Sequence, residues 1–166
     1  RRPLIDVIRD AAVEVRKPEQ LADINGLIIP GGESTTIGKL LNDWGLLDAI
    51  KTRAATGMAI FGTCAGLILL AKDIVGSDQP RLGLMDIVAA RNAFGRQRES
   101  FEADLHVAEL GDELMRAVFI RAPQIESAGA NVQVLASVND KAVIARQGKL
   151  LVAAFHPELT TDDRLH

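Results

Sequence analysis

One cysteine, Cys64, stands in a chain of 166 residues, so no disulfide can form within it. A lone thiol suits a reducing compartment, and the cytoplasm is the expected location. Tyrosine is missing and tryptophan occurs once, which argues against an aromatic stacking platform. Three histidines and the single cysteine show no metal-ligand spacing, so neither a metal nor a cofactor is expected. The net charge of −3, with no basic stripe, leaves no electrostatic footprint for nucleic acid. No apolar run approaches the roughly 18 residues of a membrane-spanning helix, and no signal-peptide pattern is seen, so no membrane partner is expected. What the chain does have is the length of one domain able to bury a proper core.

The densest signal is Met58-Ala59-Ile60-Phe61-Gly62-Thr63-Cys64-Ala65-Gly66-Leu67. A short apolar strand runs into a tight turn, and a helix starts directly after the cysteine. Gly62 and Gly66 flank Cys64 at the G-x-nucleophile-x-G spacing of a nucleophile elbow. Such a turn must lift one side chain clear of a sheet, so its neighbours need little bulk. The helix that follows offers free N–H groups and a positive dipole end, both of which favour a thiolate. The competing reading is a small buried cysteine that only packs.

Taken in order, residues 1–12 read as an amphipathic helix with Leu4, Ile8, Ala11 and Ala12 on one face. Val13-Glu14-Val15 alternates like a brief strand that Pro18 ends. Gly26-Leu27-Ile28-Ile29 fits a buried parallel strand and stops at Pro30-Gly31-Gly32-Glu33-Ser34-Thr35-Thr36. Helical periodicity follows through Leu40, Leu41, Trp44 and Leu47 and continues to Gly57, with Ser34 or Thr35 as the expected cap. The elbow helix is expected to run to about Lys72. This alternation predicts an α/β fold, with a parallel sheet covered by helices on both faces. From Leu82 onward the pattern changes to strands at Phe101 to Val107, Ala117 to Ile120, Val132 to Val138, Ala142 to Arg146 and Leu150 to Phe155. Asn139-Asp140 and Gln147-Gly148 read as hairpin turns between them. Residues 1–166 are expected to form a single domain.

Two further motifs supply what a nucleophilic cysteine needs. After the last apolar strand come His156-Pro157-Glu158. In an extended segment residues two apart project to one side, so His156 can serve as base and Glu158 can hold its tautomer. Separately, a strand-end histidine and a solvated acid would be ordinary. Pro30-Gly31-Gly32-Glu33-Ser34 lies at the carboxyl end of a predicted parallel strand, where ligands bind in open α/β sheets. Backbone N–H groups of Gly32 and Ala65 could form an oxyanion hole, or the glycines could simply turn.

Together these motifs resemble class I, triad-type glutamine amidotransferases. Within that class, Pro30 to Thr36, Arg91-Asn92-Ala93-Phe94-Gly95-Arg96-Gln97-Arg98 and Val118-Phe119-Ile120-Arg121-Ala122-Pro123 are similar to the family of glutaminase subunits of pyridoxal 5′-phosphate synthase. The resemblance covers nearly everything from about Lys17 to His166. It implies a flavodoxin-like three-layer sandwich with a mixed, mostly parallel sheet.

The resemblance further implies hydrolysis of L-glutamine to glutamate and ammonia, with Cys64 as nucleophile, His156 as base and then acid, and Glu158 as its orienting partner. It implies substrate contacts from Gly32, Glu33, Ser34, Arg91, Ile120 and Arg121. Arg91 also makes independent sense, because a guanidinium fork suits an amino acid's carboxylate. Arg96 and Arg98 read better as a solvated loop paired with Glu99 and Glu102. The implied partner is the barrel subunit of pyridoxal 5′-phosphate synthase, in a hetero-oligomer that receives the ammonia. Against the family pattern, the chain is read as lacking a first strand with its Leu-Gln-Gly loop, and a last helix beyond His166. Two alternatives keep part of this picture: a γ-glutamyl hydrolase or cysteine peptidase of similar fold, and a non-catalytic α/β binding module.

Overall fold

The computed structural model describes residues 12–94 and 99–166. Strand β1 (Gly26–Ile29) lies parallel to β2 (Ala59–Thr63), and β10 (Leu150–Ala153) lies parallel to β2 on its other side. Paired on both edges, β2 buries Ile60, Phe61, Gly62 and Thr63. Parallel neighbours need a crossover, and α1 (Ser34–Asp43) and α2 (Leu46–Ala55) supply it between β1 and β2. The register decides where the chemistry sits. Ile29 is level with Gly62, and Ala153 is level with Thr63. Three chain segments therefore leave the sheet side by side at its carboxyl end: Pro30-Gly31, Cys64 and, two residues beyond Ala154, His156.

The full sheet runs β1-β2-β10-β9-β7-β4-β3, with β8 added to β9. Its further strands are β3 (Ala71–Ile74), β4 (Met85–Ala90), β7 (Gln124–Ala128), β8 (Gln133–Val138) and β9 (Lys141–Gln147). The sheet is mixed, as expected, but its parallel share is smaller than the expectation of a mostly parallel one. Among the described residues β1/β2, β2/β10 and β3/β4 run parallel, whereas β10/β9, β9/β8, β9/β7 and β7/β4 run antiparallel. Two-residue turns force the antiparallel pairing of β8 with β9 and of β9 with β10. Asn139 and Asp140 both take positive φ, 49° and 62°, as a two-residue hairpin turn requires. A separate antiparallel ribbon joins β5 (Ser100–Leu105) to β6 (Met115–Ile120). Its Phe101 and Phe119 stack at 4.6 Å, and Phe119 meets Phe155 at 5.4 Å, which anchors the residue just before His156.

Helix α1 packs against both α2 and α3 (Ala65–Leu70), and α3 lies on β1, β2, β3, β4 and β10. α3 is apolar all round, and every one of its residues is buried, as befits a helix enclosed by sheet and neighbours. The helix expected over residues 1–12 falls, except for Ala12, outside the described residues.

Several local expectations are corrected. Residues 13–15 form no strand and pair with none among the described residues, and Pro18 opens a 3₁₀ turn (Pro18–Asp23) instead of ending a strand. The stretch expected as one helix to Gly57 is divided by Gly45, which sits at φ 71°. The elbow helix stops at Leu70 rather than near Lys72, because Ala71 turns extended and starts β3. Strands β3, β4 and β7 were not expected from the sequence. β3 buries only its two end residues, so it carries no alternating pattern to read.

Candidate active site

Cys64 occupies a backbone conformation that side-chain-bearing residues rarely adopt, φ 50° and ψ −103°. The glycines around it are required by close approach. A Cβ on Gly62 would lie 2.6 Å from the Gly66 carbonyl, and a Cβ on Gly66 would lie 2.1 Å from the Ile29 carbonyl oxygen. The turn is also tied to its neighbour strand, since the Cys64 N–H donates to the Ala153 oxygen at 2.8 Å. Gly31 closes the third side: a Cβ there would sit 2.5 Å from His156 Cε1 and 3.5 Å from Cys64 Cβ. Strand ends β1, β2 and β10 thus converge on one point, and only a hydrogen fits where the first of them passes.

His156 Nδ1 is hydrogen-bonded to Glu158 Oε1 at 2.8 Å, and each side chain is only 15% exposed. The pairing arises differently from the expectation of an extended segment. Pro157–Leu159 is a 3₁₀ turn, and it folds Glu158 back against the ring. The His156 N–H donates to the Val118 oxygen at 2.9 Å, so the β5–β6 ribbon fixes the backbone of the histidine. With Nδ1 engaged, Nε2 is the nitrogen available to the cysteine. The Cys64 side chain beside the ring, and then the Glu158 carboxylate, raise the histidine's pKa to about 9 against the opposing effect of burial. Burial alone would raise the pKa of Glu158, but the His156 hydrogen bond and its own backbone N–H together bring it below the usual value.

Every residue nominated from the sequence lines one open cavity of about 1430 Å³: Gly32, Glu33, Ser34, Cys64, Ala65, Arg91, Ile120, Arg121, His156 and Glu158. The N–H groups of Gly32 and Ala65 donate to no other group among the described residues. Glu33, not Ser34 or Thr35, caps α1, for its carboxylate is the one placed to accept from Thr35 N at 3.1 Å and Thr36 N at 2.7 Å. The Thr36 hydroxyl, then the Thr36 and Thr35 N–H groups, hold the Glu33 carboxyl down to about 2. Ser34 Oγ points into the interior and donates to Gln79 at 3.4 Å. Glu33 and Ser34 therefore have their backbone, not their side chains, free for the cavity. Arg91 stands at the rim with Nη1 3.4 Å from both Thr35 Oγ1 and Gln79 Oε1. Arg121 sits at φ 44° and its N–H donates to the Glu99 oxygen at 2.6 Å. Arg96 and Arg98 lie outside the described residues.

Sequence reasoning missed Gln79. It lies in Gly76-Ser77-Asp78-Gln79-Pro80, whose composition signals only a turn, and only its burial beneath Arg91 marks it out. Gly31 was read as part of a glycine turn, without the histidine that presses on it. Among the described residues no group of three or more histidine, cysteine or acidic side chains could hold a metal ion, and no helix is long and apolar enough to cross a membrane.

A glycine-flanked cysteine on a strand-to-helix turn, facing a histidine–glutamate pair from the adjacent strand, defines a cysteine hydrolase of α/β architecture. The comparisons narrow this. The family model described as SNO glutamine amidotransferase matches residues 4–166, and the chain belongs to that family. A pyridoxal 5′-phosphate synthase subunit PdxT from Desulforamulus reducens is 64% identical over 155 residues, covering 93% of this chain and 82% of the relative. Another from Pelotomaculum thermopropionicum is 63% identical over 155 residues, covering 93% and 79%. A crystal structure of a glutamine amidotransferase superposes with a TM-score of 0.89 at 55% identity, covering 93% of this chain and 82% of that one. The flavodoxin-like α/β fold of this class is therefore the fold of the chain.

Proposed function

We propose that this chain hydrolyses L-glutamine through Cys64, His156 and Glu158 and hands the ammonia to a pyridoxal 5′-phosphate synthase partner. The relatives at 64% and 63% identity, both subunits of that synthase, support the partner. The observation that carries the residue roles is the His156–Glu158 bond of 2.8 Å at the same sheet end as the strained Cys64 turn. The lone cysteine supports the cytoplasm as the compartment.

With its proton transferred to His156, the Cys64 sulfur attacks the side-chain amide carbon of glutamine, and the N–H groups of Gly32 and Ala65 receive the charge that develops on its oxygen. The carbon–nitrogen bond then breaks. His156, protonated up to about pH 9, gives its proton to the departing nitrogen, which leaves as ammonia. The same ring, now neutral, takes a proton from water as the water oxygen attacks the thioester. The carbon–sulfur bond breaks, glutamate leaves, and the ring returns its proton to the sulfur. Glu158 keeps Nδ1 occupied throughout, so Nε2 carries every proton transfer. Arg91 pairs with the α-carboxylate of glutamine. Cys64→Ala should abolish ammonia release measured with the assembled synthase, a loss of at least about 10³-fold. Retention of most activity would remove Cys64 from its role.

A further inference from the structure

We infer that Gln79 is a positioning residue for substrate recognition: its buried side-chain oxygen sets the pose in which Arg91 receives the ligand's carboxylate. The inference rests on the glutaminase reading and assigns a role to a residue that lies outside the cavity lining.

Gln79 is 7% exposed, which is unusual for a polar side chain in a turn-forming segment. Four donors converge on its Oε1, each at 3.4 Å: Ser34 Oγ, Thr35 Oγ1, Ser77 Oγ and Arg91 Nη1. They come from three parts of the chain, namely the start of α1, the β3–β4 connection and the residue that follows β4. A carbonyl oxygen has only two lone pairs, so these contacts share it at long range. Its Nε2 is buried with no partner among the described residues. The arrangement therefore commits the oxygen alone, and the guanidinium contact requires an acceptor at that position.

The other partner of Arg91 Nη1 is Thr35 Oγ1, itself a donor to Gln79. Removing the Gln79 oxygen thus loosens both supports of the guanidinium together. Neutrality matters as well. An amide oxygen orients Arg91 and leaves its charge unspent, whereas a carboxylate in the same place would compete with the ligand for it. Cys64 and His156 make no hydrogen bond to Gln79, so the reaction centre is untouched by the substitution.

The test uses the chain assembled with its synthase partner. Gln79→Met removes the acceptor at nearly constant volume and should raise KM for glutamine about tenfold while kcat stays within about twofold. Inactivation of Cys64 by a chloroketone analogue of glutamine, which carries the α-carboxylate, should slow by a similar factor. Inactivation by iodoacetamide, which lacks one, should not change. Gln79→Glu keeps the shape and should also raise KM, so it carries the test should the methionine variant fail to fold. An unchanged KM in an active variant, or equal slowing by both reagents, overturns the inference. Failure of the glutaminase reading shows elsewhere, as no ammonia from the unsubstituted assembly.

Discussion

The two halves of the cavity are held by different kinds of constraint. On the elbow side, the turn that carries Cys64 is locked by backbone-to-backbone approach at Gly62 and Gly66 and by the His156 ring against Gly31, with no room for even a methyl group at the three glycines. On the rim side, Arg91, Thr35 and Gln79 are joined by side-chain contacts of 3.4 Å, at the weak end of hydrogen bonding. The contrast teaches where rigidity is needed. A nucleophile must meet a carbonyl carbon within a fraction of an ångström, whereas a guanidinium clamp can close as its ligand arrives.

If that contrast holds, substitutions on the elbow side should break the protein hardest. Gly66→Ala places a methyl against the fixed Ile29 carbonyl, at 2.1 Å before relaxation. It should cost about 3 kcal/mol of stability, read from the urea midpoint, and abolish activity. Gly31→Ala meets the edge of a side-chain ring rather than backbone. The His156 ring can yield, so the variant should fold with kcat reduced about 10²-fold.

Next comes the charge that tunes the histidine. Glu158→Gln removes one of the two groups that lift the pKa of His156 to about 9. The pH at which His156 loses its proton should fall toward the ordinary histidine value, measured as an acid shift of the basic limb of kcat/KM. The linked stability has the same sign. A histidine pKa raised above its unfolded value of 6.5 stabilises the fold fully below that pH, and the gain is lost as pH rises through about 9. In the Gln variant the gain should be smaller and its loss complete at lower pH. The smallest effect is expected far from the cavity, on the β5–β6 ribbon. Arg116 pairs there with Glu102 at 3.2 Å and Asp104 at 2.8 Å, all of them solvent-exposed. Arg116→Ala should shift stability by no more than about 0.5 kcal/mol and leave ammonia release unchanged.

The elbow, the glycine loop and the His-x-Glu step were legible because each is a local signature: a few residues whose types are dictated by one turn. The strand over Gly26–Ile29 was legible for a related reason, as an unbroken apolar run between turn residues. The rest escaped for physical reasons that differ by element. β7 is mostly exposed and β3 is short, so neither shows the alternation that marks a half-buried strand. Gly45 lies inside a helical pattern, where a glycine is often tolerated, and only its φ of 71° shows the break. Glu33 could not be separated from Ser34 and Thr35 as the cap, since all three are able to accept a hydrogen bond there.

By itself the sequence determined the chemistry available: one thiol on a glycine-flanked turn, an imidazole with a carboxylate two residues on, and an arginine. Tertiary structure alone decided that they meet. Cys64 and His156 lie 92 positions apart, and the parallel register of Ala153 with Thr63 brings their strand ends level. No local preference encodes such a register. It follows from which apolar faces pack together, a property of the whole sheet rather than of any segment in it.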